Sequence, residues 1–167
     1  DAIAADMSRQ SDVPITTSPL STYCLQVKKA AAQAVSTNQV SYIKHDIEGY
    51  NLARVKNQKI TVSFWVKSTK TGIYCFTMKD SILAASYIKE YTINVANTWE
   101  RKIFTIQLSD AIGTWNYTNG LGLRMAWMLQ SGSGRTGASA DNWFSLGGGN
   151  TAMDCCRTAR RCRRCCW

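Results

Sequence analysis

The clearest regularity in the chain is an alternation of apolar and polar residues over Lys59–Lys79, KITVSFWVKSTKTGIYCFTMK. Ile60, Val62, Phe64 and Val66 share one parity, while Thr61, Ser63, Trp65 and Lys67 share the other. Beyond Ser68-Thr69-Lys70-Thr71-Gly72, the residues Tyr74, Phe76 and Met78 alternate with Ile73, Cys75 and Thr77. A period of two, rich in β-branched and aromatic side chains, is the signature of a strand with unlike faces. The linking segment supplies turn chemistry, because Gly72 reaches positive φ without a Cβ clash. This stretch predicts a β-hairpin, and with it an antiparallel sheet with one buried face.

The same period recurs along the chain. Thr22–Lys28 alternates, and so does Gln39–Tyr50, through Val40, Tyr42 and His45–Ile47 to a turn or bulge at Gly49. In Tyr87–Val95 the residues Tyr87, Tyr91, Ile93 and Val95 fall on one face, with Lys89 as a defect. Asn94–Thr98 offers a turn, after which Trp99–Leu108 aligns Phe104, Ile106 and Leu108. Leu123, Met125, Trp127 and Leu129 point inward, leaving Arg124 and Met128 outward, and Asn142–Leu146 makes a last short strand. Ser109–Gly122 and the Gly/Ser-rich Ser131–Ala140 read as loops, and the Ala-rich Lys29–Ser36 as a helical turn or a loop. Many short strands with little helix predict an all-β fold, a β-sandwich of two antiparallel sheets. The expected division is a polar lead-in or linker over 1–20, with Pro14 and Pro19, the sandwich over 21–150, and a Cys/Arg-rich tail over 151–167.

Composition changes this picture in three places. At 167 residues the chain suits one core, and no apolar run approaches the length of a membrane span. The formal charge of +9 invites a nucleic-acid reading, but the last 17 residues hold five arginines and one aspartate, and the lysines elsewhere are scattered among strands. No nucleic-acid partner is expected. Five of the seven cysteines also lie in the tail, as CC-x5-C-x2-CC, with Cys24 and Cys75 set alone in apolar strand patterns. Thiolates so spaced could bind zinc, yet no second CxxC or CxxH arm accompanies them. The abrupt change after Asn150 reads instead as sequence out of frame or a truncated end.

Catalytic material is sparse. His45 is the one histidine, and it sits in a strand pattern. Asp46 and Glu48 share parity, as a glycosidase pair could, but solvated strand charges at that spacing are far commoner. The runs Gly132-Ser133-Gly134 and Gly147-Gly148-Gly149 lack the strand-to-helix context of a phosphate cradle. The chain is therefore expected not to be an enzyme, and to need no cofactor, with room left for a structural calcium.

Aromatic residues off the core parity carry the remaining signal. Trp65 lies beside Ser63 and Lys67, Trp115 and Tyr117 lie in a polar loop with Asn116, and Trp143 follows Asn142. Sugars present flat C–H patches that stack on aromatic rings and hydroxyls that pair with amides or guanidinium groups. On this reading Trp65, Trp115, Tyr117 and Trp143 stack on sugar rings while Asn116, Arg124 and Asn142 bond hydroxyls. The competing reading has Trp65 covered by packing on a second face, and Trp115 and Trp143 plugging the ends of the sandwich. Both stand at this point.

Several of these strings resemble a known family. Ile47-Glu48-Gly49-Tyr50, Ile60–Ser68 and Thr71-Gly72 are similar to the jelly-roll domain of bacteriophage tail fibres and related tail proteins. Glu90–Asn94, Ala96–Lys102, Gly113-Thr114-Trp115, Gly120–Arg124 and Gly132-Ser133 extend the likeness over roughly residues 10–149. SFWVKS also resembles carbohydrate-binding modules of polysaccharide-degrading enzymes. The resemblance implies a galactose-binding-like jelly roll in the extracellular virion tail, binding host-surface glycan, in contact with other tail proteins and trimeric in the parent fibre. Two alternatives are an accessory sugar-binding module of a hydrolase and a purely structural virion oligomerisation domain. The family continues past the Gly-rich region into a further strand, where this chain has its Cys/Arg tail. Loss of that strand would leave a sheet edge or apolar strip uncovered.

Overall fold

The computed structural model describes residues 6–14, 22–28, 36–138, 140–145, 155–156 and 164–166, with the backbone alone at 135–138, 145 and the last two stretches. Among the described residues twelve strands form: β1 (Asp6–Gln10), β2 (Cys24–Lys28), β3 (Val40–Glu48), β4 (Lys59–Ser68), β5 (Gly72–Lys79), β6 (Ala85–Ile93), β7 (Glu100–Gln107), β8 (Leu121–Ser131), β9 (Thr136–Ala138), β10 (Trp143–Ser145), β11 (Cys155–Cys156) and β12 (Arg164–Cys166). They build two five-stranded antiparallel sheets, one in the order β1-β2-β12-β4-β7 and the other β10-β6-β5-β8-β3, with β9 and β11 as a separate parallel pair. The fold is all-β and sandwich-like.

The inward parity predicted for each strand meets in one core. Phe64 on β4 packs edge-on against Tyr91 of β6, Phe104 of β7 and Trp127 of β8, with ring centres 5.3, 6.0 and 5.6 Å away. Phe76, Met78, Ile93, Ile106 and Leu123 complete the interior and are almost wholly buried. Edge-to-face pairs of this kind add roughly 0.5–1.5 kcal/mol each beyond the burial of their area.

The hairpin expected over 59–79 does not form. Its two strands exist at the predicted positions, but β4 pairs with β7 and β12, while β5 pairs with β6 and β8. The link crosses from one sheet to the other over the edge of the core. Gly72 takes φ +132° there, and the buried Tyr74 hydroxyl donates to Lys70 O at 2.8 Å and lies 2.9 Å from Ser68 Oγ. Alternation reports which face of a strand is buried, and it is the same whether the next strand lies beside it or across from it.

A second correction concerns the single buried face. Cys75 and Thr77 on the outer side of β5 are buried, and Cys75 joins Ile88, Ala126 and Met128 in a separate cluster packed by Val40, Tyr42, Ala140 and Phe144. The sheet containing β5 is thus covered on both sides. Lys89, the apparent defect of β6, forms an ion pair with Asp141 at 2.5 Å, whereas Val95 lies past the strand end and is exposed.

Local backbone chemistry explains the remaining differences. Gly49 opens a short helix, α1 (Gly49–Leu52), where a Cβ would clash with Thr118 O and approach Asn116 O to 2.6 Å. Only glycine lets the 116–118 loop lie this close. The polar lead-in contributes β1, which pairs with β2, and the Gly/Ser-rich segment holds a short 3-10 turn and β9. In the tail, β12 lies between β2 and β4. The Ala-rich reading of Lys29–Ser36 falls, but for Ser36, outside the described residues, as do the tail side chains of the zinc reading. Among the described residues no helix is long and apolar enough to cross a membrane.

Candidate functional site

The seven residues singled out for sugar binding do not gather in one place. Trp115 and Trp143 meet edge to face at 5.5 Å, and Trp143 also packs on Tyr87 at 5.5 Å. Both indole N–H groups donate to backbone carbonyls, Trp115 to Ser109 O at 2.9 Å and Trp143 to Gln107 O at 3.1 Å. Both rings rest against the core cluster, so they close the gap between the end of β7 and the β6–β10 edge.

The adjoining loop is equally self-satisfied. Asn116 Oδ1 accepts from the Thr118 amide and hydroxyl at 2.9 and 2.8 Å, and its Nδ2 donates to Asn119 O at 2.6 Å. Tyr117 donates its hydroxyl to Asp110 at 2.5 Å and lies under the Lys56 ammonium, 4.7 Å from the ring centre. Burial, with the Asp110 carboxylate beside it, pushes the Tyr117 hydroxyl well above its ordinary pKa. Nearby, the buried carboxylate of Asp80 accepts from the backbone N–H of Ala84, Ala85 and Thr114 at 2.8, 3.1 and 3.0 Å. It staples the turn after β5 to the loop before Trp115, a role with no signal in the sequence.

Arg124 lies elsewhere, on the outer side of β8. It grips Asp46 of β3 through two parallel hydrogen bonds of 2.7 and 2.9 Å, and Lys44 adds a contact of 2.8 Å to the same carboxylate. The guanidinium holds the Asp46 pKa down to about 2 against the opposing effect of burial. Asn142 is exposed in the turn before β10.

Trp65 stands apart on the outer side of β4, half-buried, directly across from Arg101 of β7. The antiparallel register lines up Lys59 with Gln107, Thr61 with Thr105, Ser63 with Ile103 and Trp65 with Arg101 along this face. Thr61 and Thr105 share a hydrogen bond of 2.9 Å, and Ile103 is 57% exposed. One end is closed by Lys67, which pairs with Asp12 and lies 5.2 Å from the ring centre of Trp99. Trp99 Nε1 also reaches Asp12, at 3.3 Å. The Lys67 and Trp99 contacts together lower the Asp12 pKa. Beneath this end, on the inner side of β7, Glu100 accepts from the amides of Asn94 and Val95 and from Lys102. Burial alone would raise its pKa, but the Lys102 ammonium and the amides outweigh it and bring it to about 2.

Lys59, Ile103 and Arg101 were not among the residues picked from the sequence. Lys59 shares the parity of Trp65 and could have been found, but Arg101 needs the β4–β7 register, which alternation does not supply. Among the described residues no group of three or more His, Cys, Asp or Glu side chains is placed to hold a metal ion. Comparison of the chain with known protein families, with curated proteins and with solved structures gives no match.

Proposed function

We propose that this chain is a non-catalytic sandwich of jelly-roll type from a phage tail fibre or tail-associated protein, and that it binds host-surface carbohydrate through the outer face of β4 and β7. The observation that carries the reading is the position of Trp65. Its indole is set in a strand, half-buried and therefore oriented, among the exposed polar side chains of Ser63, Thr61, Thr105 and Arg101. A rigid strand fixes a stacking ring better than a loop does, and hydroxyls and a guanidinium beside it suit the rim of a sugar ring. By contrast, Trp115, Asn116, Tyr117, Arg124 and Trp143 have partners inside the molecule, and binding would have to displace them.

Titration of the chain with a panel of oligosaccharides, followed by tryptophan fluorescence, tests this. Trp65→Ala is expected to abolish binding while Asn142→Ala leaves it unchanged. Retained affinity in Trp65→Ala would remove this face from the function.

A second reading is favoured by Ile103, an exposed isoleucine beside Trp65. It makes the same face a contact with another segment of the virion, in a domain that is structural alone. Sedimentation separates the two readings: a self-association that Ile103→Lys dissolves, with no sugar binding, supports the structural one.

A further inference from the structure

The ten outward positions along β4 and β7 are Lys59, Thr61, Ser63, Trp65 and Lys67 on β4, and Arg101, Ile103, Thr105 and Gln107 on β7 with Trp99 just before it. None is acidic. Lys67 is neutralised by Asp12, but Lys59 and Arg101 are exposed and make no ion pair among the described residues. This differs from the outer face of the other sheet, where Arg124 and Lys44 are both matched to the Asp46 carboxylate. We infer that the β4–β7 face takes an acidic polysaccharide, with Trp65 under a sugar ring and Arg101 and Lys59 on carboxylates of the polymer, an assignment that rests on the glycan reading above.

The spacing favours that polymer over other occupants. Arg101 lies level with Trp65, and Lys59 is six residues away along β4, about 20 Å at the rise of a strand. Between them lie Thr61, Ser63, Thr105 and the exposed Ile103, a run of hydroxyls with one apolar contact. Two free cations about 20 Å apart match a chain with sparse charge and many hydroxyls. A nucleic acid carries a phosphate about every 3.4 Å of each duplex strand, and its binding sites carry correspondingly dense lysine and arginine. A second copy docked on the same face would set like charges against each other. Arg101 offers the planar fork that pairs bidentately with a carboxylate, and it does so next to the ring that fixes the sugar.

The test uses the full chain with four probes: polygalacturonate, its fully methyl-esterified form, dextran, and a single-stranded oligothymidylate. The expected result is binding of polygalacturonate at least tenfold tighter than of its ester, weakened at least tenfold by Lys59→Gln/Arg101→Gln and by rising salt. Both replaced residues are exposed, and an unchanged thermal melt confirms that the double variant is folded. Equal affinity for the acid and the ester, lost in Trp65→Ala, overturns the charge assignment while leaving the glycan reading in place. Binding of polygalacturonate that survives Lys59→Gln/Arg101→Gln overturns it too, since the five arginines after residue 150 would then be holding the polyanion. Tighter binding of oligothymidylate than of polygalacturonate overturns it in favour of nucleic acid. Binding of none of the probes overturns both the inference and the reading beneath it.

Discussion

Trp143 and Trp65 look alike in the sequence, each with polar residues two positions away on both sides, and the structure gives them opposite surroundings. Trp143 leans on Tyr87 and Trp115, spends its N–H on Gln107 O and closes the core. Trp65 lies on an outer sheet face across from a guanidinium that has no carboxylate partner among the described residues. An aromatic whose polar atom is already engaged serves the fold, whereas one set beside an ion-pair donor without a partner is available to something else. The neighbours' hydrogen bonds, more than the residue's own exposure, tell the two apart.

That contrast can be broken by experiment. The largest effect is expected from Trp143→Ala, which removes a core-sealing ring and should cost about 2–4 kcal/mol in urea unfolding. Trp65→Ala should cost less than about 1 kcal/mol, because its site is solvent-facing. Similar losses at both positions would erase the distinction between them.

Next comes acid. Glu100 holds the turn that delivers Arg101 to the open face, and its folded pKa of about 2 lies below the ordinary 4.5. A depressed carboxylate stabilises the fold fully above its unfolded pKa and ceases to as pH falls from about 4.5 towards 2. After allowance for solvent screening this contribution is about 2 kcal/mol, and Glu100→Gln should flatten the fall in stability over that window. An unaltered pH profile in Glu100→Gln would show that the turn does not depend on it.

Gly49→Ala should cost about 1–3 kcal/mol by forcing the 116–118 loop off α1, and it should disturb the Trp115 end while leaving the proposed Trp65 face intact. The smallest effect sharpens the charge contrast. A double-mutant cycle across Asp46 and Arg124 should give a coupling of no more than about 1 kcal/mol, as for partly exposed pairs. The same cycle across Trp65 and Arg101 should give none without ligand.

Strand positions and their buried parity were legible because a half-buried strand has no freedom to depart from a period of two. Phe64, Phe76, Phe104, Leu123 and Leu129 all occupy the core expected of them. Pairing was not legible. The strands β4 and β5 alternate identically whether adjacent or opposed, and only the crossing at Ser68–Gly72 decides between them. The outer cluster around Cys75 was hidden for a related reason, since Cys, Thr and Ala fit a buried face or a solvated one equally well. In the site, Trp65 could be read from its parity, while its partner Arg101 waited on a register set by contacts distant in sequence. Asp80 and Glu100 resemble ordinary surface carboxylates until the backbone amides around them are seen.

One consequence follows from Lys102. It lies on β7, the edge strand of its sheet among the described residues, opposite Phe64 on the inward side, and reaches Thr92 O at 2.5 Å and Glu100 at 2.6 Å. A charged amine turned inward at a free border makes that border a poor template for a further strand. At high concentration, copies of the chain could then touch through their faces without fusing into a continuous ribbon, so crowding would not become irreversible clumping.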